Sequence, residues 1–251
     1  MMNPSKTALV FGGHSPIAIE ISKTLASSYK VIHVSRAIDN FLSDKFTSIE
    51  NVSLLQCNID ASDEIVTFLI DFIRGGVDLV VFTQRFRGEI DSLDNEFNIQ
   101  VKFPILLIQE MQGKGTLRDK SLIIFLSSPA ASYIVDDQSI SYHISKAAVN
   151  QIVRYFANRL APRTRVLGIS PGGFVLKERN QEYFTRNERK TQIIRDFLPL
   201  GDLLTTQSIA EVVQLITSPQ ANSLNGQIFS LDGGYLNIEP SQLINRLIKD
   251  E

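Results

Sequence analysis

The sequence predicts a doubly wound, three-layer α/β fold built on a mainly parallel seven-stranded sheet. Seven short β-branched runs alternate with longer amphipathic stretches, the pattern of strands joined by crossover helices. Most of the runs are apolar nearly throughout, as parallel strands covered on both faces must be. The first run also leads through a glycine turn into a helix start, the opening of a dinucleotide-binding unit in such folds.

Taken in order, the strand runs are TALVF (7–11), KVIHV (30–34), VSLLQC (52–57), DLVVF (78–82), SLIIFL (121–126), RVLGIS (165–170) and QIFSL (227–231). A chain of 251 residues can bury one sizeable core. No repeat, low-complexity tract or linker divides it, so a single domain over 1–251 is expected. The one conspicuous insertion is charge-rich: LKERNQEYFTRNERKTQIIRDF (176–197). It reads either as a solvated helical pair or, over 176–200, as a lid on a substrate cleft.

A formal net charge of −2 provides no field for nucleic acid. No run approaches the roughly 20 apolar residues of a membrane span, and the N-terminus lacks a leader pattern. Cys57 is the only cysteine, so no internal disulfide forms; in LLQC it reads as a buried strand thiol, and a reducing, cytoplasmic setting is expected. No metal site is expected.

After the first strand come Gly12, Gly13, His14, Ser15, Pro16, Ile17 and Ala18. Ser15 suits an N-cap and Pro16 the first helical turn, leaving the amides of Ile17 and Ala18 to meet an anion such as a pyrophosphate. An ordinary tight βα turn has the same composition.

Tyr142 and Lys146 are four residues apart in a helical stretch, hence on one face. A neighbouring ammonium favours tyrosinate, which otherwise forms only near pH ~10. Ser127 and Ser128 end the strand at 121–126, at the carboxyl edge where α/β sheets bind ligands.

In the order of these motifs the chain resembles the short-chain dehydrogenase/reductase family, in its short single-domain branch, over nearly all of residues 7–235. The segment SIAEVVQLITSPQANSLNGQIFSLDGGY is similar to the family's last helix, strand and Asp-Gly-Gly signature. The resemblance implies a Rossmann-like fold and makes Tyr142 the general acid/base. Lys146 then lowers its pKa and holds the nicotinamide ribose. Ser128, in preference to Ser127, orients the substrate oxygen. Asn98 matches the asparagine that holds a relay water beside the lysine, an exposed helical asparagine being the plain reading. Pro171 and Gly172 match the turn beside the nicotinamide. Asn58, or Asp60 if the register slips, matches the adenine contact. Homodimers or homotetramers are expected through the helices beginning near Asp94 and Tyr142.

At the end of the second strand, where members that prefer NAD usually carry an acid, stand Ser35 and Arg36. A hydroxyl and a guanidinium suit a 2′-phosphate, so NADP(H) is the expected cofactor.

The chain departs from the family at three places. Phe11-Gly12, Pro16 and Ala18 replace parts of the glycine-rich turn. Phe82-Thr83-Gln84-Arg85, with Arg87, replaces Asn-Asn-Ala-Gly after the fourth strand. Leu176 replaces a threonine after the proline-glycine turn. Arg85 and Arg87 lie where the nicotinamide is expected and are candidates for an anionic group on a small-molecule substrate; the plain reading is that they face solvent or pair with Glu89 and Asp91. The sequence thus points to an alcohol/ketone oxidoreductase, with a catalytically silent cofactor-binding protein as the alternative. Double-bond reduction fits less well, because such relatives generally separate tyrosine and lysine by a longer interval.

Overall fold

A computed structural model describes residues 5–59, 61–88, 91–239, 241–242 and 245. Its strands are β1 (Lys6–Phe11), β2 (Tyr29–Ser35), β3 (Val52–Gln56), β4 (Val77–Phe82), β5 (Leu117–Leu126), β6 (Thr164–Pro171), β7 (Val175–Leu176), β8 (Leu204–Thr205) and β9 (Ile228–Leu231). The helices are α1 (Pro16–Leu25), α2 (Asn40–Phe46), α3 (Asp63–Phe72), α4 (Leu93–Phe97), α5 (Phe103–Lys114), α6 (Ile140–Arg159), α7 (Glu178–Arg186), α8 (Glu188–Phe197) and α9 (Thr206–Thr217). All seven expected strand runs form the main sheet, in the order β3-β2-β1-β4-β5-β6-β9. Every pairing within it is parallel. The order reverses between β1 and β4, which opens a crevice at their carboxyl ends.

Side chains one residue apart on a strand point to opposite faces, and the core divides accordingly. Leu9 and Phe11 of β1 pack with Leu69, Phe103, Leu107 and Val153 on one side. Ala8 and Val10 pack with Ile17, Ile21, Ile209 and Val213 on the other. Helices therefore cover both faces, which is why the strands read as unbroken apolar runs.

The charge-rich insertion forms α7 and α8, and Thr191 is the buried residue of α8. A two-stranded ladder of β7 and β8 brackets it, pairing Leu176 with Thr205.

One buried polar group ties the first βα turn to the sheet. His33 of β2 is fully buried, its Nδ1 2.8 Å from the Ser22 hydroxyl on α1 and its Nε2 2.8 Å from the Gly13 carbonyl. The carbonyl can only accept, so Nε2 carries the hydrogen and Nδ1 accepts from Ser22. Burial holds the imidazole pKa at about 4, against a weaker upward pull from the Gly13 carbonyl and a further downward push from His14.

Because the folded-state pKa lies below the unfolded value of 6.5, the unfolded chain takes up a proton first as the pH falls. The stabilisation is complete above pH 6.5 and is lost on descending to about 4. This term amounts to at most about 3 kcal/mol. Chemical denaturation of wild type and His33→Gln between pH 7 and 4 should give a steeper loss of stability in wild type. Parallel curves would show that His33 does not titrate as described.

Candidate active site

The crevice at the switch point holds a cavity of about 640 Å³, with Gly12, Gly13, Ser35, Arg36, Asn58 and Arg85 among its walls. Its floor depends on a close approach. A Cβ on Gly12 would lie 2.1 Å from the Thr83 Oγ1 and 2.6 Å from the Ala18 Cβ, so only glycine fits. Gly13 adopts φ +51°, and a Cβ there would meet the Ser35 Oγ at 2.9 Å. Thr83 donates from both its amide and its hydroxyl to the Phe11 carbonyl, at 3.0 and 2.7 Å, joining the ends of β1 and β4.

Ser15 stands at the N-cap position and Pro16 opens α1, as the sequence suggested, but the Ser15 hydroxyl makes no capping bond. The amides of Ile17 and Ala18 are thus not taken up by the cap. Ser35 is buried and donates to the Ala37 carbonyl at 2.6 Å, which commits its proton to the loop. Arg36 is exposed at the cavity wall and, among the described residues, has no carboxylate partner within ion-pair distance. Asn58 is also exposed there, while Asp60 and Glu89 lie outside the described residues. Cys57 is a buried free thiol.

These residues fit a dinucleotide. The glycine turn lets backbone approach closely, the start of α1 presents amides, and a guanidinium stands at the end of β2.

Tyr142 lies in the first turn of α6, whose N-cap Ser139 accepts from the Tyr142 amide at 3.3 Å. Lys146 follows one turn later, and its Nζ donates to the Leu126 carbonyl at 2.7 Å. That nitrogen lies 5.5 Å from the centre of the Tyr142 ring. Both side chains are buried. Burial raises the phenol pKa, while a hydrogen bond with Ser128 and the charges of Arg85 and Arg87 lower it and Glu96 raises it. Burial likewise brings Lys146 down to about 7, with Glu96 opposing and Arg85 reinforcing that change.

Of the two candidate serines, Ser128 is the one that lowers the Tyr142 pKa; its hydroxyl accepts from the Ala130 amide at 3.2 Å. Ser127 is buried and donates to the Asn150 Oδ1 at 2.5 Å, a contact internal to the layer.

Asn98 is half-buried and begins a π-helical turn, Asn98–Lys102, joining α4 to α5. The amide that reaches α6 is that of Gln100: its Nε2 donates to the Glu96 carboxylate and, at 3.1 Å, to the Ser145 hydroxyl. Ser145 in turn donates to the Tyr142 carbonyl at 3.0 Å. Sequence reading passed over both Glu96 and Gln100. Their one signal was an acidic residue four positions before an amide, on a helix that continues into an apolar stretch.

The Arg85 guanidinium lies over the Tyr142 ring, 4.3 Å from its centre. Its Nη1 donates to the Gln138 Oε1 at 3.3 Å and its Nε to the Phe86 carbonyl at 3.4 Å. Arg87 is an exposed part of the cavity wall. The reading of these arginines as solvent-facing surface therefore fails for Arg85. Asp91 accepts from the Ser141 hydroxyl on α6. Pro171 and Gly172 close β6 against β9, the Gly172 amide donating to the Leu231 carbonyl at 2.7 Å. Among the described residues, Tyr142, Lys146, Ser128, Pro171 and Gly172 do not line the cavity; Arg85 both lines it and covers Tyr142.

Comparison with known proteins agrees with this architecture. The family described as enoyl-(acyl carrier protein) reductase matches residues 77–236. An uncharacterized oxidoreductase, YmfI, of Bacillus subtilis is 29% identical over 92% of this chain and 99% of its own length. L-xylulose reductase of Caenorhabditis elegans is 28% identical over 92% of this chain and 96% of its own. A short-chain dehydrogenase/reductase from Serratia marcescens superposes with a TM-score of 0.74 at 23% identity, covering 93% of this chain and 98% of that one. ElxO with NADP bound gives 0.76 at 23% identity, covering 93% and 99%. The switch-point crevice, the buried tyrosine–lysine pair and these matches lead to one conclusion: the chain belongs to the short-chain dehydrogenase/reductase family.

Proposed function

We propose that this chain is an NADP(H)-dependent oxidoreductase that interconverts an alcohol and a ketone, with Tyr142 as general acid/base. The observation that carries this reading is the buried Tyr142–Lys146 pair, one helical turn apart on α6, with Ser128 at the carboxyl edge of the sheet lowering the phenol pKa. The names of two relatives, L-xylulose reductase and tropinone reductase-like 3, support carbonyl chemistry, and ElxO supports NADP.

When bound, the nicotinamide supplies or accepts the hydride. In this reading Gly12, Gly13, Ser15, Pro16 and Ile17 hold the pyrophosphate end, Asn58 the adenine and Arg36 the 2′-phosphate. Pro171 and Gly172 border the nicotinamide, and Lys146 holds its ribose. Ser128 donates to the substrate oxygen, and Tyr142 gives or takes the proton there. Asn98 orients a relay water. Residues 176–200 cover the substrate. Arg85 and Arg87, whose charges both act on Tyr142, favour an anionic group on that substrate.

We further propose a homodimer or homotetramer built on α6, whose Ile140, Ile144 and Tyr155 are exposed. Light scattering at micromolar concentration should give twice or four times the chain mass; a monomeric mass contradicts it.

Tyr142→Phe should lower turnover by about 10²–10⁴-fold while NADPH affinity, followed by fluorescence, stays within about threefold of wild type. Turnover at the wild-type rate would reject the mechanism. Cofactor binding without turnover in wild type, on any of a panel of ketones and enoyl thioesters, would favour the silent binding protein. The panel should include ketones matched except for a carboxylate. Equal kcat/KM across each pair would remove the anionic substrate class, and reduction of the enoyl thioesters alone would replace ketone chemistry with double-bond chemistry.

Arg36→Ala should weaken NADPH about tenfold or more and NADH little, since only NADPH carries the 2′-phosphate. An equal loss for both cofactors would make Arg36 structural.

A further inference from the structure

Burial of the Tyr142–Lys146 pair acts against the charged form of each group. Taking two ionisable groups out of water favours the neutral phenol and the neutral amine. Burial thus raises Tyr142 and brings Lys146 to about 7. A second cation that keeps its charge beside the ring favours the phenolate in addition to Lys146.

The groups facing Tyr142 can be taken element by element. Arg85 and Arg87 come from the segment after β4, Glu96 from α4 and Ser128 from the end of β5. Lys146 lies on the tyrosine's own helix. His143, also on α6, is turned to the Ser139 carbonyl and the Val135 amide. Glu96 opposes phenolate formation and helps keep Lys146 protonated. Of the cations, Arg85 lies against the ring, 4.3 Å from its centre compared with 5.5 Å for the Lys146 nitrogen. A guanidinium stays protonated throughout the working range. Gln138 and the Phe86 carbonyl hold it in that position.

We propose that Arg85 is a positioning residue for proton transfer, a permanent cation stacked on Tyr142 that stabilises its phenolate whether or not Lys146 is protonated. This rests on the reading of Tyr142 as the acid/base. In alcohol oxidation the substrate O–H bond breaks and its proton passes to the phenolate oxygen, while the carbinol carbon loses a hydride to the oxidised nicotinamide cofactor and becomes the carbonyl carbon. Arg85 takes no part in bond making. It sets the pH above which the phenolate is available.

The test is the pH profile of alcohol oxidation with NADP⁺ for wild type, Arg85→Gln, Arg85→Lys and Tyr142→Phe, using a neutral and a carboxylated substrate. Arg85→Gln should move the rising limb of kcat up by about one pH unit, a tenfold lower rate at fixed pH on that limb. The displacement should be the same for both substrates, and Arg85→Lys should restore most of it. An unmoved limb with KM raised only for the carboxylated substrate would make Arg85 a substrate anchor and overturn the inference. An unmoved limb with tighter NADP⁺ binding would make it a screen over the cavity, with the same consequence. Should Arg85→Gln fail to fold, Arg85→Met, which keeps the aliphatic bulk without the charge, must show the same displacement. If Tyr142→Phe keeps full turnover, the underlying assignment of Tyr142 fails; if it loses turnover while the Arg85→Gln limb stays in place, only the role of Arg85 fails.

Discussion

The close approach at Gly12 is the constraint on which the site depends. Three elements converge there: the end of β1, the Thr83 hydroxyl after β4 and the first turn of α1, leaving no room for a Cβ. The Phe11 carbonyl accepts twice from Thr83, so the ends of the two strands at the switch point cannot drift apart without breaking two buried bonds. Beneath them Phe11, Phe82 and Phe125 form a row of stacked rings across β1, β4 and β5, with centres 5.2 and 4.8 Å apart. Such ring pairs contribute about 0.5–1.5 kcal/mol each beyond their buried area. The carboxyl edge is thereby a firm platform, and the loops that carry Arg85 and Ser128 leave it from known heights.

Much of this was legible in the sequence, for a physical reason. Strands covered on both faces favour nearly continuous apolar runs, so all seven stood out, and all seven form the main sheet. Tyr142 and Lys146 were legible because one helical turn separates them on an unbroken helix. The network behind them was not. The π-helical turn at Asn98–Lys102 accommodates extra backbone, which rotates later side chains away from the face that regular periodicity assigns. Regular helical periodicity therefore gives no sign that the Gln100 amide reaches α6, and Asn98 was singled out by the family resemblance alone.

His33 was hidden for a different reason. A histidine in the apolar run KVIHV resembles any tolerated core residue until its partners are known. Those partners, Ser22 and the Gly13 carbonyl, lie 11 and 20 residues away. Ser15 shows the reverse error, since its position was readable but its hydroxyl does not cap.

The insertion completes the picture through its weakness. Helix α8 buries Thr191 and partly buries Ile194 and Phe197, and Leu198 at its end is buried, so the apolar anchorage of the segment sits mainly at this end. At its other end the contacts are polar and local: the Asn180 amide donates to the Val175 carbonyl at 2.9 Å, and β7 pairs with β8 over two residues. One longer link runs to α2, where Lys45 donates to both oxygens of Glu178, at 2.9 and 2.8 Å. Exposed pairs of this kind contribute about 0–1 kcal/mol, too little to clamp a segment shut. Because Glu178 is also a wall of the cavity, the link joins the adenosine end of the proposed cofactor site to the proposed lid. If the segment is the proposed lid, a hold of this kind would let it open at low free energy while the platform below it stays in place.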